Sequence, residues 1–421
     1  MGLVSAMYSG VSGITTNSQN LNVISNNIAN VNTVGFKSGA AVFQDVLSTV
    51  LHNGSTTMQF GHGAKIGGVS TSYAQGSFEA TTSATDLAID GNGFFVVNNG
   101  AGNFYTRAGQ FRIGSQGTLV NPQGYTLQGY KITNGVVGNA VQNVDLAGIQ
   151  SSPQATTSFT AGVNLNAAAS AATTFTTPVT MYNSVGDEVI LTITFTKISG
   201  LNSWSFTPTT SIGTVDVNGA ASGTVSFDTS GQLSSINGVA IGAGATAPVF
   251  NFTFPGSAIA PPASNQAVTW SLLNTAGTAS NGKLTGYAAQ SNNNSLVQDG
   301  FATGVLTGLA VSSDGRISGV FDNGQTDELY QIVLANFLNP TGLNKVGSNL
   351  YTASYQSGSA TLGTARSGGF GSVLGDTLEL ANVDIATEFV KMITTQQAYQ
   401  ASARTITTAN DLMTEAINLK R

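Results

Sequence analysis

The sequence predicts a mainly β protein with α-helical termini, and three observations support this fold class. Apolar residues near both ends recur at alternating intervals of four and three, the spacing of a helix that buries one stripe. Between the ends, short apolar alternations are interrupted by Asn-Gly, Asn-Pro and Gly-Ser turns, as in antiparallel sheets. The chain also has 421 residues, which is too long for one ordinary core. We therefore expect a helical domain and more than one β domain.

The composition narrows the possible functions. Charged residues make up only 8% of the chain, the net charge is −6, and there is no cysteine. Nucleic-acid binding needs clustered Lys and Arg, so it is not expected. The absence of cysteine excludes disulfides and thiolate sites. The hydrophobic fraction of 41%, with 21 Phe and 11 Tyr, is high enough for folded cores despite the scarcity of charge.

The first predicted element is a helix within residues 1–36 that ends near residues 30–35, where Asn-rich sequence and Gly35 are stop signals. Residues 1–36 carry no charge, so the basic segment of a signal peptide is missing, and no apolar run approaches the roughly 20 residues of a membrane span. We expect export without a cleaved signal peptide and no membrane insertion. The stripe of this helix comprises Leu3, Met7, Gly10, Ile14, Asn17, Leu21, Ile24, Ile28 and Val31.

Residues 37–75 are expected to form a connector that contains a short helix around residues 42–51. The two histidines of the chain, His52 and His62, lie here. A metal site would need a cluster of carboxylates or cysteines beside them, and the sequence has no such cluster there. Two loop histidines are the better interpretation.

The β-type sequence divides into two nested antiparallel β domains, barrel-like or sandwich-like. Residues 76–150 and 285–377 are expected to form an inner domain, into which residues 151–284 are inserted as an outer domain. Strands are predicted at residues 189–195, 204–206 and 249–254 of the insert, and Asn237-Gly238 is a predicted hairpin turn.

The last element is a helix near the C-terminus, for which Asn382 or Asp384 is a candidate cap. Neither terminal helix can bury its stripe against the polar sequence beside it. The simplest solution is that residues 1–36 and 378–421 pack on each other as a coiled-coil domain, and then on other copies of the chain. The second stripe comprises Ile385, Phe389, Met392, Gln396, Tyr399, Ala403, Ile406, Asn410, Met413 and Ile417.

Residues 25–37 resemble the signature of the bacterial flagellar axial proteins, the rod and hook family. Sequence around residues 86–111 and 380–401 resembles the same family. The asparagines can satisfy backbone groups as the helix unravels, and Gly35 can take the positive φ that redirects the chain. The signature residues are Ser25, Asn26, Asn27, Asn30, Asn32, Thr33, Gly35, Phe36 and Lys37.

The resemblance is closer to hook members of the family than to rod members. It implies a structural subunit that polymerises into a curved, flexible tube between the motor rod and the filament, in the extracellular hook attached to the basal body. The implied partners are other copies of the chain, the rod, hook-cap and hook–filament junction proteins, and the flagellar type III export apparatus. No cofactor and no enzymatic activity are implied. The helical stripes are the candidate assembly interface.

Three alternatives are open at this point. A distal rod protein of the same family would share both terminal motifs, but it is much shorter. A surface β-rich adhesin could use Trp204 and Trp270 to stack on sugars. A glycosidase-like enzyme would need paired carboxylates, but Asp187 and Glu188 are adjacent, and neighbours on a strand point to opposite faces.

Overall fold

The computed structural model describes residues 2–47, 49–53, 56–200, 202–254, 263–274 and 279–418. The chain divides into two compact units. Unit 1 comprises Met1–Gly148, Gly308–Val320 and Thr326–Arg421, and unit 2 comprises Ile149–Thr307 and Phe321–Gln325.

Two long helices belong to unit 1. Helix α1 spans Gly2–Ala29 and helix α2 spans Ile385–Asn418. The first therefore ends near the predicted position. Asp384 caps α2 by accepting a hydrogen bond of 3.0 Å from the Thr387 N–H, and Asn382 bonds elsewhere. Among the described residues, neither helix is both long and apolar enough to cross a membrane.

The remaining described elements are almost entirely strands. Those before residue 148 are β1 (Gly39–Asp45), β2 (Thr49–Asn53), β3 (Thr56–Phe60), β4 (Ala64–Thr71), β5 (Phe78–Ala80), β6 (Leu87–Asp90), β7 (Phe94–Asn98), β8 (Asn103–Thr106), β9 (Arg112–Ile113), β10 (Leu119–Val120), β11 (Thr126–Thr133) and β12 (Val136–Asn143).

Those of residues 149–303 are β13 (Gln150–Ser151), β14 (Ser158–Asn164), β15 (Thr174–Tyr182), β16 (Glu188–Lys197), β17 (Ser203–Thr210), β18 (Thr214–Val217), β19 (Gly223–Phe227), β20 (Leu233–Ile236), β21 (Val239–Ala240), β22 (Val249–Thr253), β23 (Gln266–Trp270), β24 (Leu284–Thr285) and β25 (Asn292–Gln298).

The last group is β26 (Gly304–Val311), β27 (Arg316–Phe321), β28 (Thr326–Asn336), β29 (Asn344–Gly347), β30 (Leu350–Thr352), β31 (Thr361–Thr364), β32 (Ser372–Gly375) and β33 (Thr377–Glu379). A short 3-10 helix occupies Pro340–Gly342.

The sheet of unit 1 is built by strands from both ends of the chain. Strands β7, β11 and β28 pair with one another, and the path continues from β7 through β8 and β30 to β29. Two further antiparallel pairs join early and late sequence: β5 with β33, and β6 with β32. Among the described residues, the N-terminal part of unit 1 therefore completes its sheets with strands from residue 326 onward.

The described residues of unit 2 form two six-stranded sheets around one core. One has the order β15-β16-β17-β19-β20-β21, and the other contains β18, β22, β23, β14 and β24, with β25 paired to β14. Along β16 the inward residues alternate with outward ones, which is the period of a strand with one buried face. Asn237-Gly238 joins β20 to β21 as predicted, with φ of 51° and 79°.

Two local expectations were wrong. The predicted helix at 42–51 is absent, because β1 pairs with β4 and β2 pairs with β3 in antiparallel register. The pairing of these strands, and the packing of β1 and β4 on α1, outweigh the weak helical pattern. The sheets of unit 2 are also not wholly antiparallel, since β14 runs parallel to β23 and β24. Strands far apart in sequence are not held antiparallel by a tight turn.

Candidate functional site

The two terminal helices pack on each other in antiparallel fashion. The Asn20 side-chain amide donates to Thr395 Oγ1 at 3.0 Å, and that of Asn27 donates to Glu388 Oε2 at 3.1 Å. At the other end, a Cβ placed on Gly10 would lie 2.7 Å from Ile406 Cγ1. Successive residues of α1 thus meet earlier and earlier residues of α2. Glycine lets the backbone of α1 approach α2 closely at this end.

The contacting faces differ by one position from the predicted stripes. On α2 the buried side chains are Glu388, Thr395 and Ala409, where the predicted stripe has Phe389, Gln396 and Asn410. Between them, Ser402 and Ala403 of the predicted stripe are both half-buried. The other half of the stripe, with Met392 and Ile406, is shared. About half of the residues on the observed face are polar or small, because close approach of the helices and hydrogen bonds determine which residues are in contact.

Part of the predicted interface is exposed to solvent on the packed helices. Ile385, Phe389, Tyr399 and Ile417 are exposed by 45%, 48%, 38% and 63%. The side chain of Leu3 lies outside the described part of the structure. The remaining predicted interface residues are buried or half-buried: Met7, Ile14, Leu21, Ile24, Ile28 and Val31 in or just after α1, and Met392, Ile406 and Met413 in α2.

Two exposed apolar stripes lie toward opposite ends of the helix pair. Ile385, Phe389 and Ile393 recur at intervals of four along the first turns of α2, and Ile393 is 53% exposed. Val4, Tyr8 and Val11 recur along the first turns of α1, with exposures of 51%, 67% and 51%. Because the helices are antiparallel, the beginning of one lies beside the end of the other.

A second face of α1 packs on the β1–β4 hairpin. Ser12 Oγ accepts a hydrogen bond of 3.3 Å from the Ala64 N–H. Asn27 is 2% exposed and bonds both backbone groups of Gly39, donating to its carbonyl at 2.8 Å and accepting from its N–H at 2.9 Å. The first helix is therefore held between α2 and the hairpin.

The signature residues form the turn that leaves α1. Asn30 donates to the Asn26 carbonyl at 2.8 Å, as expected for an asparagine that satisfies the unravelling helix. Gly35 has the predicted positive φ, at +68°, and its N–H donates to the Glu379 carbonyl at 2.7 Å. Within the signature, Asn27, Gly35, Phe36 and Lys37 are buried, Asn30 and Thr33 are half-buried, and Ser25, Asn26 and Asn32 are exposed.

Three charged side chains meet beneath this turn. Lys37 Nζ lies 2.6 Å from Glu379 Oε1, and Arg107 Nη1 lies 3.4 Å from Glu379 Oε2. The side chains of Lys37 and Glu379 are fully buried and that of Arg107 is 5% exposed. We call Lys37, Arg107 and Glu379 the charge cluster. It joins the signature, the first β strands and the segment before α2.

Backbone groups add further hydrogen bonds to the charge cluster. Lys37 Nζ donates to the Ala74 carbonyl at 2.8 Å, and Arg107 Nη2 donates to the Gly91 carbonyl at 2.7 Å. Burial lowers the pKa of both Lys37 and Arg107 from their ordinary values, although the Glu379 carboxylate partly opposes this. The cluster therefore contains two cations whose burial is costly and one carboxylate that compensates for it.

Sequence reasoning found Lys37 but missed Glu379 and Arg107. A signal was present in the sequence, because Glu379 stands between Leu378 and Leu380 in a chain that is only 8% charged. A lone carboxylate in an apolar run calls for a buried partner. The pattern does not show which cation is this partner, because the partners lie several hundred residues apart in the sequence.

Other candidate sites considered from sequence find no support. Trp204 and Trp270 are 0% exposed in the core of unit 2, and Trp270 stacks on Phe159 with ring centroids 5.9 Å apart. They cannot present a face to a sugar. No group of three or more potential metal-ligating side chains occurs among the described residues. The side chain of His52 lies outside them.

Comparison with known proteins shows the family to which the chain belongs. The chain is 33% identical to the flagellar hook protein FlgE of Borreliella burgdorferi, over 99% of this chain and all of that protein. It is 33% identical to FlgE of Escherichia coli, over 99% of this chain and all of that protein, and 34% identical to FlgE of Rhizobium meliloti over both full lengths. The chain belongs to the flagellar hook protein family.

Four family models match parts of the chain, and two of the matches overlap. They are described as flagella basal body rod protein (residues 7–37), flagellar hook protein FlgE/F/G D1 domain (88–164), flagellar basal body protein FlaE D2 domain (150–301) and flagellar basal body rod FlgEFG protein C-terminal (375–419). As a member of the flagellar hook protein family, the chain is a structural subunit of the bacterial flagellar hook. The rod and adhesin alternatives are not favoured.

Proposed function

We propose that the chain polymerises through its terminal helices into a curved, flexible tube that joins the motor rod to the filament as a universal joint. In this proposal α1 and α2 form a coiled-coil domain with the helices of neighbouring copies. Rod, hook-cap and hook–filament junction proteins contact the ends of the tube. The flagellar type III apparatus exports the subunit without a cleaved signal peptide.

The observation that supports this proposal most directly is the pair of exposed stripes on the packed helices. Large apolar side chains exposed in a row on a helix that already packs on another helix favour a further protein contact. The stripes of α1 and α2 differ in composition and lie toward opposite ends of the pair. A contact between different patches on two identical subunits continues from copy to copy, and a helical tube is the outcome when the rotation does not close.

We also propose that the domains are nested as expected from the sequence. Residues 1–36 and 378–421 would form the assembly domain, 76–150 and 285–377 the inner β domain, and 151–284 the inserted outer domain, with 37–75 as connector. In that arrangement the outer domain is added to the tube without interrupting the helices that assemble it.

The scarcity of charge suits an interface that changes as the tube bends. Ser, Thr, Asn and Gly can exchange weak partners during sliding, whereas breaking a buried ion pair would cost several kcal/mol. Bending stiffness should therefore depend weakly on salt concentration. A stiffness that changed several-fold between low and high salt would mean that charged contacts dominate.

Electron microscopy tests the proposal. The purified full-length chain and a chain lacking residues 1–36 and 380–421 are placed under the same polymerising conditions. The truncated chain retains Lys37, Arg107 and Glu379, the three residues of the charge cluster. We expect curved tubes from the full-length chain and none from the truncated one.

Two outcomes would contradict the proposal. Straight tubes from the full-length chain would indicate a rod-like polymer. Well-folded monomers from both chains would indicate that the helix pair is a closed structural unit.

A further inference from the structure

The charge cluster joins residues that are very far apart along the chain. Glu379 follows Arg107 by 272 positions and Lys37 by 342. Both cations belong to the first part of unit 1, whereas the carboxylate belongs to the segment just before α2. A buried ion left without its partner costs several kcal/mol. The first part of unit 1 therefore cannot bury Lys37 and Arg107 favourably by itself.

Glu379 also completes backbone bonding around the cluster. Its Oε1 accepts from the Gly76 N–H at 3.0 Å, and its carbonyl accepts from the Gly35 N–H at 2.7 Å. Three residues later, Asn382 Oδ1 accepts from the Ser38 N–H at 2.7 Å, and its amide donates to the Ser72 carbonyl at 2.9 Å. The segment 379–382 thus satisfies backbone groups on both sides of the β1–β4 hairpin.

Strand pairing also shows that the first part of unit 1 depends on the last part of the chain. In unit 1, β5 and β6 have β33 and β32 as their partners, and β7 and β11 both pair with β28. In unit 2 the two six-stranded sheets draw every strand from the continuous stretch β14–β25. These two sheets of unit 2 can form from contiguous sequence, and the sheets of unit 1 that contain β5, β6 and β7 cannot.

We infer that Glu379 is the closing residue of unit 1: the N-terminal strands remain open until the segment carrying this carboxylate docks, neutralises Lys37 and Arg107 and allows them to become buried. Unit 2 folds first, from its own continuous sequence. When a chain emerges N-terminus first, the signature turn after α1 therefore stays unfolded until nearly the whole chain has emerged. The order follows from charge and topology, and it requires no partner protein.

Refolding of the full-length chain tests the order. The chain is diluted from denaturant, and pulsed hydrogen exchange with mass spectrometry follows peptides from β15–β16, β6–β7 and β32–β33. We expect β15–β16 to become protected first, and β6–β7 to become protected together with β32–β33. Protection of β6–β7 before β32–β33, or before β15–β16, would overturn the inference.

A variant tests the role of the carboxylate at equilibrium. Glu379→Gln should lower the exchange protection of β6–β7 by about 100-fold or more, the loss expected when one partner of a buried pair is removed. The matched control is Glu328→Gln, because Glu328 pairs with Arg316 at the surface, with exposures of 40% and 31%. The control should change protection by less than about fivefold. Equal effects from the two variants would exclude a special role for Glu379.

A double variant separates charge from packing. If the carboxylate acts by neutralising a cation, Lys37→Met should recover part of the protection lost in Glu379→Gln, so that the combined fold-loss is smaller than the product of the two single fold-losses by about tenfold or more. Single fold-losses that simply multiply would mean that Glu379 is needed for shape alone and would overturn the inference. If Glu379→Gln does not fold in unit 1, the refolding order of the unmodified chain still decides the question.

Discussion

Gly35 joins the signature turn to the charge cluster, and its role depends on having no side chain. Its φ is +68°, and a Cβ placed on it would overlap the backbone of Arg107 and Ala108. The sequence predicted the positive φ from the stop signal after α1. It could not predict the second constraint, because that contact comes from backbone just after β8, some seventy residues away.

Gly35→Ala should therefore destabilise unit 1 more than an ordinary turn substitution does. The matched control is Gly124→Ala, since Gly124 has a φ of +87° but open space where a Cβ would lie. The left-handed conformation alone costs about 1–2 kcal/mol, and overlap with packed backbone adds about 1–3 kcal/mol. Denaturant unfolding measures both variants. Equal losses would show that the turn relaxes to accept the extra carbon.

Tyr73 makes the stability of unit 1 sensitive to alkaline pH. Its ring packs against Phe94 and Tyr351, with centroids 5.6 Å and 5.8 Å away. Burial raises the pKa of Tyr73 to about 12 and also raises the pKa of Tyr351. The unfolded chain loses the phenol proton near its ordinary pKa of about 10, so the unfolded state is favoured as the pH rises further.

The tyrosine contribution to stability is therefore complete below pH of about 10 and is lost as the pH rises to about 12. Tyr73→Phe should make this loss shallower in denaturant unfolding followed across that range. Tyr8→Phe is the control, because Tyr8 is 67% exposed. A Tyr73→Phe profile identical to that of the unmodified chain would locate the alkaline sensitivity elsewhere.

At the scale of elements, each terminal helix uses different faces for different contacts. The face of α1 toward α2 includes Gly10, Asn20 and Asn27, and its face toward the hairpin includes Ser12 and again Asn27. The apolar periodicity predicted that two helices exist and roughly where they end. It predicted only part of the contact face, because hydrogen bonds and close backbone approach contribute to this interface as well as apolar area.

The exposed stripe of α2 should contribute to assembly and little to folding. Phe389→Ser should raise the concentration needed for polymerisation about tenfold or more, since burying a phenylalanine is worth about 1.5–3 kcal/mol. The unfolding midpoint of the monomer should change little, because the side chain is already 48% exposed. Sedimentation of polymer at several concentrations measures the first quantity.

The control for the stripe is Gln397→Ser, an exposed polar position on the same helix. It should leave both polymerisation and monomer stability nearly unchanged. A Phe389→Ser chain that assembles as readily as this control would place the contact between subunits on another surface.

At the scale of the whole molecule, the two units have separate cores and should unfold separately. The chain has two tryptophans, and both Trp204 and Trp270 are buried in unit 2. Tryptophan fluorescence should therefore follow unit 2 alone, while hydrogen exchange of β6–β7 follows unit 1. Denaturant unfolding should show two transitions that these probes separate.

A pair of core variants assigns the transitions. Leu191→Ala in β16 and Val333→Ala in β28 both remove side chains that are 0% exposed. The first should cost about 2–5 kcal/mol and move only the transition seen by fluorescence. The second should move only the transition seen by exchange of β6–β7. If each variant moved both transitions equally, the units would unfold as one.

The sequence by itself determined the elements and the family. Periodicities of 3.5 and 2 are properties of neighbouring residues, so the two helices, the strands at 189–195 and 249–254 and the turn at Asn237-Gly238 could be predicted locally. The signature at residues 25–37 identified the family for the same reason. The helix expected at 42–51 failed because its local pattern was weak and a pairing partner some twenty residues later decided the outcome.

Only the tertiary structure decided which distant residues meet. The offset faces of the helices, the parallel pairing of β14 and the meeting of Lys37, Arg107 and Glu379 depend on contacts between segments up to several hundred residues apart. No short pattern carries that information, because a contact between distant segments follows from how all the elements pack together. The burial of three charges in a chain with so few depends on that packing.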